Sequence, residues 1–375
     1  MITGLVDDEG FTMRAAVLHE PHAPLEVREV ETPAELLPDE VRVRTAAVGI
    51  CHSDLHVIQG LVGRPMPIVL GHEASGVVLE VGSAVDDVQA GDHVVACFVV
   101  FCGRCRMCRA GQPAMCQDRE ATMRGAGQEP RLSIDGVEVH QWTNVAGFAE
   151  EMVLHRNAVT AIDERMPLDL AAMLGCAVAT GVGSARKVAR IAPGDAVAVI
   201  GAGGVGLNVC QGAALSGAGA IIAVDRSAHR LELARARFGA THTIDASAVT
   251  DVAARVRKIV DGGADHVFEA VGAPGLVEVA LDATARGGSV WAIGVFGDAA
   301  RIEFSAAHLH SGKGVHGVRA GSLEPQRDIP QLVEDHLRGD LELEGLVGER
   351  IALADINRGI DALAAGTGAR TLVVF

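Results

Sequence analysis

Four clustered cysteines give the strongest chemical signal in the sequence. Cys102, Cys105 and Cys108 lie three residues apart, and Cys116 follows eight residues later. Thiolates at this short spacing can close a tetrahedral structural zinc site within one loop, whereas four clustered thiols without a metal would be prone to oxidation. An iron–sulfur centre uses the same ligands, but the short spacing after Cys108 favours a self-contained zinc site.

A second group of reactive side chains lies upstream. Residues 51–56 contain a thiol, two imidazoles, a hydroxyl and a carboxylate, from Cys51, His52, Ser53, Asp54 and His56. His72 stands beside Glu73, and a third thiol, Cys176, ends an apolar run. Two cysteines and one histidine form a known zinc set that leaves a coordination position open for substrate. Spacing alone does not bring these distant ligands together, and His72 could equally be a buried core residue.

A glycine-rich turn between two apolar runs predicts a dinucleotide site. The turn, 201–206, follows the strand-like run 196–200 and opens a helix-like segment. Gly201 permits the turn, Gly203 lets a pyrophosphate approach the backbone, and Gly206 lets helix and strand pack closely. The amide groups at the helix start would face the phosphates. The bare pattern is weak, because the chain contains 45 glycines.

An acidic residue after the next apolar run strengthens this interpretation. The run 220–224 ends in Asp225, about 20 residues after the turn, where a carboxylate can bind the ribose hydroxyls of a dinucleotide. Its charge would repel the additional phosphate of NADP, which favours NAD, although Arg226 could soften that exclusion. The alternative is that Asp225 only caps a turn.

The elements around these motifs indicate the fold class. Residues 13–50 contain short strands in which apolar and charged residues alternate, and residues 117–145 are polar and irregular. Asp163 to about Cys176 is predicted as one helix. From residue 196 to about residue 295, strands and helices alternate, which predicts a parallel, doubly wound sheet. The fold class is therefore α/β.

Length and charge restrict the possible functions further. At 375 residues, the chain is long enough for two domains, and its formal net charge of −16 argues against binding nucleic acid or an anionic membrane surface. Residues 1–12 look like an upstream extension and carry acidic residues rather than the basic start and apolar core of a signal peptide. Eight cysteines without a secretory signal favour metal ligands or free thiols over disulfides, and a cytoplasmic location is expected.

Together, these motifs resemble those of the zinc-containing medium-chain alcohol dehydrogenases. The resemblance extends over residues 13–375 and depends on 51–54, 71–73, 102–116, 175–176, 201–206 with Asp225, and 370–371. It implies a GroES-like, mostly β catalytic domain formed by residues 1–178 and 322–375, with a zinc lobe at about 97–117. It also implies a Rossmann domain for NAD formed by residues 179–321.

The resemblance implies two zinc ions per subunit. The catalytic residues would be Cys51, Ser53, Asp54, His56, His72, Glu73 and Cys176, and the structural zinc ligands would be Cys102, Cys105, Cys108 and Cys116. Cys51, His72 and Cys176 would hold the catalytic zinc, with Glu73 behind it and Asp54 orienting His72. Zinc lowers the pKa of a bound alcohol. Ser53 would take its proton and pass it through the nicotinamide ribose to His56, while hydride moves to the nicotinamide.

Cofactor and substrate contacts follow from the same resemblance. The cofactor contacts would be His52, Thr180, Gly201, Gly203, Gly204, Val205, Gly206, Asp225, Arg226, Arg230, Val271, Ile293, Val295 and Arg370. His52 stands where some relatives have an arginine. A histidine in place of that arginine would weaken coenzyme binding. The substrate pocket would be lined by Ser53, Phe98, Trp142, Val295 and Arg319. Phe98 and Trp142 favour bulky apolar or aromatic alcohols, and Arg319 could bind a substrate carboxylate or remain solvated.

The implied function is reversible zinc-dependent oxidation of a primary or secondary alcohol to an aldehyde or ketone with NAD, in a homo-oligomer (dimer or tetramer). A thiol-adduct (S-hydroxymethyl) formaldehyde dehydrogenase shares every motif but needs a basic pocket, for which only Arg319 is a candidate. A further alternative is a relative that keeps its nicotinamide bound and recycles it with an external acceptor. A non-catalytic zinc-binding relative is the third alternative, and it would have no need of Ser53 and His56.

Overall fold

The computed structural model describes residues 11–297, 299–366 and 369–375. The chain divides into two compact units. The first contains the chain up to Gly175 together with Glu324–Val333 and Gly348–Phe375, and the second contains Cys176–Leu323 and Glu334–Val347. Most of the predicted extension, residues 1–10, lies outside the described part, and the first strand begins at Phe11. The domain boundaries expected from the resemblance stay a prediction.

The described residues form strands and helices that we number along the chain. The strands are β1 Phe11–Leu18, β2 Glu26–Thr32, β3 Glu40–Gly49, β4 Ile68–Val69, β5 Glu73–Val81, β6 His93–Cys97, β7 Ser133–Ile134, β8 Val137–Glu138, β9 His140–Gln141, β10 Glu151–His155, β11 Val159–Ala161, β12 Ala196–Ile200, β13 Ala220–Asp225, β14 His242–Asp245, β15 Ala264–Glu269, β16 Thr284–Ala292, β17 Gly314–Gly317, β18 Val347–Ala352 and β19 Arg370–Val374. The α-helices are α1 His52–Ile58, α2 Arg106–Arg109, α3 Leu168–Ala171, α4 Ala177–Gly183, α5 Gly204–Leu215, α6 Ala228–Arg237, α7 Val252–Ile259, α8 Gly275–Ala283, α9 Ala307–His310, α10 Pro325–Leu337 and α11 Ile356–Ala364.

The first unit is built on two mostly antiparallel sheets. One sheet has the strand order β8-β7-β2-β1-β4-β9, and the other has the order β11-β6-β5-β3-β19-β18 with β10 paired to β3. The C-terminal strand β19 pairs with β3, and Val373 faces Val48 across that pair. Apolar residues of both sheets share one core, in which Val17, Val48 and Phe148 have no exposed surface. Strand β19 therefore brings a late segment of the chain into the sheet that contains β3.

The second unit contains the predicted parallel sheet. Its strand order is β14-β13-β12-β15-β16-β17. Each strand runs parallel to its neighbours in this sheet. All five residues of β12 are buried, as expected for a central strand covered on both faces. The order reverses between β12 and β15, and such a switch point is where dinucleotides bind in doubly wound folds. The predicted α/β fold class is confirmed.

The predicted helix from Asp163 to Cys176 is wrong in its extent. Pro167 precedes α3, a tighter 3-10 turn covers Ala172–Gly175, and α4 starts afresh at Ala177. Cys176 lies at this break with non-helical backbone angles of φ −144° and ψ −80°. The carbonyl of Gly175 accepts a hydrogen bond from the Cys97 thiol (3.1 Å) instead of continuing a helix. The break places Cys176 outside any regular helix.

No single helix among the described residues is apolar and long enough to cross a membrane. Only the bent pair Leu168–Gly175 and Ala177–Ala189, whose arms meet at 54°, would suffice if both arms are taken together. The break at Cys176 separates these two segments.

A buried carboxylate joins the irregular segment 117–145 to the sheet. Glu40, at the start of β3, accepts hydrogen bonds from Arg124 Nη2 (2.5 Å) and from Arg131 Nε (2.7 Å), and its side chain has no exposed surface. Against the opposing effect of burial, the two guanidinium groups lower the pKa of Glu40 to about 2. Two buried guanidinium groups thus share the Glu40 carboxylate.

We expect this network to make the stability of the first unit depend on acid. The ionised form of Glu40 is favoured in the folded state, so its contribution is present above the unfolded-state pKa near 4.5 and is lost as pH falls through about 2. Glu40→Gln should lower the free energy of unfolding at pH 7 by about 3 kcal/mol. Urea unfolding of both proteins between pH 7 and pH 3 measures this, and the difference between them should shrink on acidification. A constant difference would contradict the assignment.

Candidate metal centres and nucleotide-binding turn

One cluster of metal-binding side chains comes from three distant parts of the sequence. The potential ligand atoms of Cys51, His72, Glu73 and Cys176 all lie within 4.8 Å of one another, and all four residues are buried. Cys51 follows β3 and precedes α1, His72 and Glu73 lie at the start of β5, and Cys176 lies at the helix break. Two thiols and an imidazole in a buried cluster fit the three-ligand set of a catalytic zinc.

Asp54 fixes the position of His72 in this cluster. The buried Asp54 carboxylate lies 3.1 Å from His72 Nδ1 and accepts hydrogen bonds from the backbone amides of Cys51 (3.0 Å) and Gly71 (3.1 Å). The Trp142 indole nitrogen lies 3.2 Å from the same Nδ1. A metal on Nε2 leaves the ring proton on Nδ1, which can then donate only to Asp54. Trp142 packs edge-on against His72, with ring centroids 6.3 Å apart.

Glu73 links the cluster to the last strand. Arg370 Nη1 donates to Glu73 Oε2 (2.8 Å) and to the Ile50 carbonyl (3.1 Å). Burial raises the pKa of Glu73 to about 8, even though Arg370 opposes the shift. The carboxylate therefore serves both as a possible metal ligand and as the anchor of Arg370.

Ser53 and His56, the residues of the expected proton relay, lie on α1. Ser53 Oγ is 3.9 Å from Cys51 Sγ, and His56 lies one turn further along the same helix, half-buried. Residues three apart on a helix share a face. The helix thus places a hydroxyl beside the metal ligands and an imidazole further along the same face. The relay itself stays a prediction.

The expected substrate-pocket residues fall into two groups. Phe98 and Trp142 border the metal-binding cluster, and the Phe98 ring meets His72 edge-on with centroids 5.8 Å apart. Val295 and Arg319 belong to the second unit, and both are exposed. Phe98 and Trp142 therefore both pack against the metal-binding residue His72.

The four-cysteine segment forms a second cluster within the first unit. The sulfur atoms of Cys102, Cys105, Cys108 and Cys116 lie within 4.8 Å of one another. Backbone amides of Gln117 and Cys108 donate to Cys105 Sγ (3.5 Å each) and lower the pKa of that thiol to about 6. Burial, followed by the neighbouring thiols, raises the pKa of Cys108 to about 12. Four sulfur atoms this close together fit a tetrahedral zinc site with four thiolate ligands.

The glycine turn of the second unit has the geometry of a phosphate cradle. Gly201 has φ +98°, a left-handed conformation that favours glycine. A side chain at Gly203 would meet no atom within 4 Å, so the space above it is open, whereas one at Gly206 would overlap the Gly201 carbonyl oxygen. Helix α5 begins at Gly204 without a side-chain cap, so its first amides face the open space.

Asp225 lies at the carboxyl end of β13, next to this turn. Its Oδ2 accepts from the Ala202 amide (2.8 Å), and its Oδ1 accepts from the Ser227 amide (2.9 Å). Arg230 Nη1 lies 3.8 Å from the carboxylate, and Arg226 is exposed. The structure thus joins the acidic residue to the turn, as the spacing predicted.

The remaining expected cofactor contacts are more dispersed. Val271 and Ile293 follow the carboxyl ends of β15 and β16, and Thr180 is buried in α4, all in the second unit. His52 and Arg370 belong to the first unit. Their roles toward a cofactor stay predictions.

Sequence reasoning missed Glu269, the last residue of β15. Its buried Oε1 accepts from the amides of Val271 (3.0 Å) and Gly272 (2.8 Å), and so it shapes the loop that carries Val271. The sequence did contain a signal for Glu269, because a carboxylate ends the strand there, as Asp225 ends β13.

It also missed a cavity beside Trp142, in the first unit. Its volume is about 300 Å³, and its lining includes Arg64, Arg119, Arg124 and Arg131. The expectation that only Arg319 could supply a basic pocket is therefore wrong. These arginines are scattered over 68 positions and follow no motif.

Comparisons with known proteins agree with this architecture. Residues 37–164 match the family described as "Alcohol dehydrogenase GroES-like domain", and residues 204–337 match "Zinc-binding dehydrogenase". The chain is 35% identical over 372 residues to S-(hydroxymethyl)glutathione dehydrogenase of Escherichia coli O1:K1, covering 96% of this chain and 99% of the relative. It is 34% identical to the class-3 alcohol dehydrogenase of Drosophila melanogaster, covering 97% and 98%.

Solved structures show the same similarity. An alcohol dehydrogenase zinc-binding domain protein from Burkholderia ambifaria superposes with a TM-score of 0.92 at 33% identity, covering 97% of this chain and 99% of that one. Benzyl alcohol dehydrogenase from Acinetobacter calcoaceticus superposes with a TM-score of 0.91 at 31% identity and the same coverage. The similarity thus includes both sheets of the first unit and the parallel sheet of the second.

Proposed function

Because this chain belongs to the zinc-containing medium-chain alcohol dehydrogenases, we propose that it oxidises a bulky apolar or aromatic alcohol with NAD as the oxidant. The observation that carries the proposal is the packing of Phe98 and Trp142 against His72, within 5.8 and 6.3 Å of its ring. Two aromatic side chains beside a metal ligand form an apolar surface for an alcohol's side chain. A relative named benzyl alcohol dehydrogenase supports the same substrate class.

In the proposed reaction, the residues around the metal-binding cluster have separate roles. When bound, zinc would supply a Lewis acid that lowers the pKa of an alcohol, and NAD would supply the hydride acceptor. Cys51, His72 and Cys176 would hold the metal, and Asp54 keeps the ring of His72 oriented. Phe98 and Trp142 exclude water from the apolar side of the cluster.

Proton movement is assigned to helix α1. Ser53 would accept the proton of the alcohol while its own proton passes toward His56, further along the same helix. The turn at Gly201–Gly206 and Asp225 bind the pyrophosphate and the ribose of NAD, and the acidic Asp225 disfavours NADP. A homo-oligomeric state and a cytoplasmic location accompany this proposal as predictions.

A second candidate is oxidation of an S-(hydroxymethyl) thiol adduct. The cavity lined by four arginines favours it, because such a substrate carries carboxylates away from its reacting carbon. The name of the Escherichia coli relative points the same way.

A substrate panel tests both candidates. We expect NADH formation from benzyl alcohol and octan-1-ol with kcat/KM at least about tenfold above that for ethanol, because each apolar group bound contributes about 1–3 kcal/mol. Formaldehyde with glutathione, and NADP in place of NAD, complete the panel. A preference for ethanol over the larger alcohols would contradict the first candidate, and no NADH from formaldehyde with glutathione would contradict the second.

A further inference from the structure

Cys97 is a buried thiol to which the proposed reaction gives no role. It is the last residue of β6 and has no exposed surface. Its sulfur donates a hydrogen bond to the Gly175 carbonyl (3.1 Å) and accepts one from the Val99 amide (3.4 Å). Burial raises the pKa of this thiol to about 12, so the sulfur keeps its proton and can donate. The bond to Gly175 joins two segments that are 78 positions apart in the sequence.

The acceptor of this hydrogen bond lies next to a metal-binding residue. Gly175 ends the 3-10 turn, and its carbonyl belongs to the same planar peptide unit as the nitrogen of Cys176. A fixed direction for this carbonyl therefore limits where the Cα atom and the thiol of Cys176 can lie. Gly175 also lies close against β6, because a side chain there would come within 2.7 Å of the Ala96 carbonyl oxygen. The Cys97 thiol thus acts on Cys176 through a single peptide unit.

The end of β6 is also aligned with the other members of the metal-binding cluster. Cys97 lies directly opposite Glu73 in the antiparallel pair of β6 with β5, so the two side chains point to the same face of the sheet. The next residue, Phe98, meets the His72 ring edge-on, with centroids 5.8 Å apart. This end of the strand therefore lies beside two cluster residues and is bonded to the segment that precedes Cys176.

A second hydrogen bond holds the far end of the same segment. Ser75 Oγ, on β5, donates to the carbonyl of Leu168 (2.5 Å), and Ser75 has no exposed surface. Leu168 is the first residue of α3, eight positions before Cys176. In this bond, as in that of Cys97, a buried side chain donates to a backbone carbonyl, but the acceptor is remote along the chain from the metal-binding residue. Ser75 therefore provides a matched control.

We propose that Cys97 is a positioning residue for the metal ligand Cys176, acting through its hydrogen bond to the Gly175 carbonyl. This inference rests on the proposed zinc-dependent function and adds a residue from outside the ligand set. Side chains that orient metal ligands affect both metal affinity and activity, and their replacement costs about 10–100-fold. Asp54 orients His72 by a direct contact, whereas Cys97 orients Cys176 through the backbone.

Three variants of Cys97 separate the hydrogen bond from packing. Cys97→Ala and Cys97→Val remove the donor with a smaller and a larger apolar side chain, whereas Cys97→Ser keeps a donor of similar size. Competition with a chromogenic chelator measures how tightly zinc is held by Cys51, His72 and Cys176. We expect this affinity to fall about tenfold in both apolar variants and less than about threefold in Cys97→Ser. Zinc at the four-cysteine centre should be released identically from every variant and serves as the internal reference.

The matched variant Ser75→Ala should lose stability without losing zinc. It removes a buried hydrogen bond, so the midpoint of thermal unfolding should fall, but zinc affinity should change by less than about twofold. Wild-type zinc affinity in Cys97→Val would overturn the proposal, because an apolar side chain would then replace the thiol fully. Weaker binding in Cys97→Ser than in Cys97→Val would overturn it as well, since Cys97 would then act only by packing.

Cobalt(II) in place of zinc gives a second measurement that does not depend on turnover. Its visible absorption reports ligand geometry, so both apolar variants of Cys97 should shift the spectrum, and Ser75→Ala should not. An unchanged spectrum in both apolar variants would overturn the proposal. Initial rates with benzyl alcohol should show kcat reduced about tenfold and KM changed by less than about twofold. Absence of alcohol oxidation by wild type would reject the proposed function, whereas the chelator and cobalt measurements would still decide the role of Cys97.

Discussion

Cys51→Ala will lose one of two zinc ions per chain and lower kcat by more than about 100-fold. Changes in residues that merely orient zinc ligands cost about 10–100-fold, so the loss of a ligand must cost more. The Cys51 thiol lies in the buried cluster with His72, Glu73 and Cys176, and no other described cysteine belongs to that cluster. Metal analysis of purified protein and initial rates with benzyl alcohol measure the two effects.

Cys210→Ala is the matched control for this prediction. Cys210 is buried within α5, and burial raises the pKa of its thiol to about 12, so it is an inert core residue. This variant should keep two zinc ions and its activity within about twofold. Full activity of Cys51→Ala, or loss of both zinc ions from it, would contradict the assignment of two independent centres.

Gly206→Val will abolish measurable NAD binding and destabilise the second unit. The added side chain would overlap the Gly201 carbonyl oxygen, so α5 must move away from β12. Overpacking of this kind costs about 1–3 kcal/mol, which lowers the midpoint of thermal unfolding by roughly 3–10 °C. Scanning calorimetry and NAD titration measure the two effects, and the zinc content should stay at two per chain.

Gly203→Val provides a matched variant in the same turn. A side chain there meets no atom within 4 Å, so the unfolding midpoint should change by no more than about 2 °C. Its methyl groups would occupy the space above the turn, and NAD affinity should still fall at least about tenfold. Unchanged NAD affinity in Gly203→Val would show that the pyrophosphate does not lie against this turn.

Much of the chemistry could be predicted from the sequence because it is local. The four cysteines of the second metal centre lie within 15 residues, and a loop of that length can bring its own ligands together. The Gly201–Gly206 turn and Asp225 belong to one strand–helix–strand unit, whose geometry is fixed by hydrogen bonds between neighbouring strands. For these two features, spacing along the chain is nearly equivalent to distance in space.

Other features could not be predicted from spacing. Cys51 and Cys176 are 125 positions apart, and only the pairing of β3 with β5 and the helix break at Cys176 bring them together. The sequence predicted a continuous helix there, because nothing in residues 163–176 shows that the Gly175 carbonyl accepts from the Cys97 thiol. Long-range contacts of this kind override local propensity.

The cavity beside Trp142 is the clearest case of a feature that only the tertiary structure decided. Arginine is common on surfaces, and in the sequence Arg64 and Arg119 are indistinguishable from solvated residues. In the structure both of them line the same cavity as Trp142, and the Arg64 guanidinium carbon lies 5.0 Å from the centroid of the Trp142 ring. The sequence by itself determined the four-cysteine site and the nucleotide-binding turn, because their residues form short motifs, whereas the other metal site and the reaction followed from the resemblance to a family. Tertiary structure decided which charges line this cavity, because electrostatic interactions depend on distance and burial rather than on order along the chain.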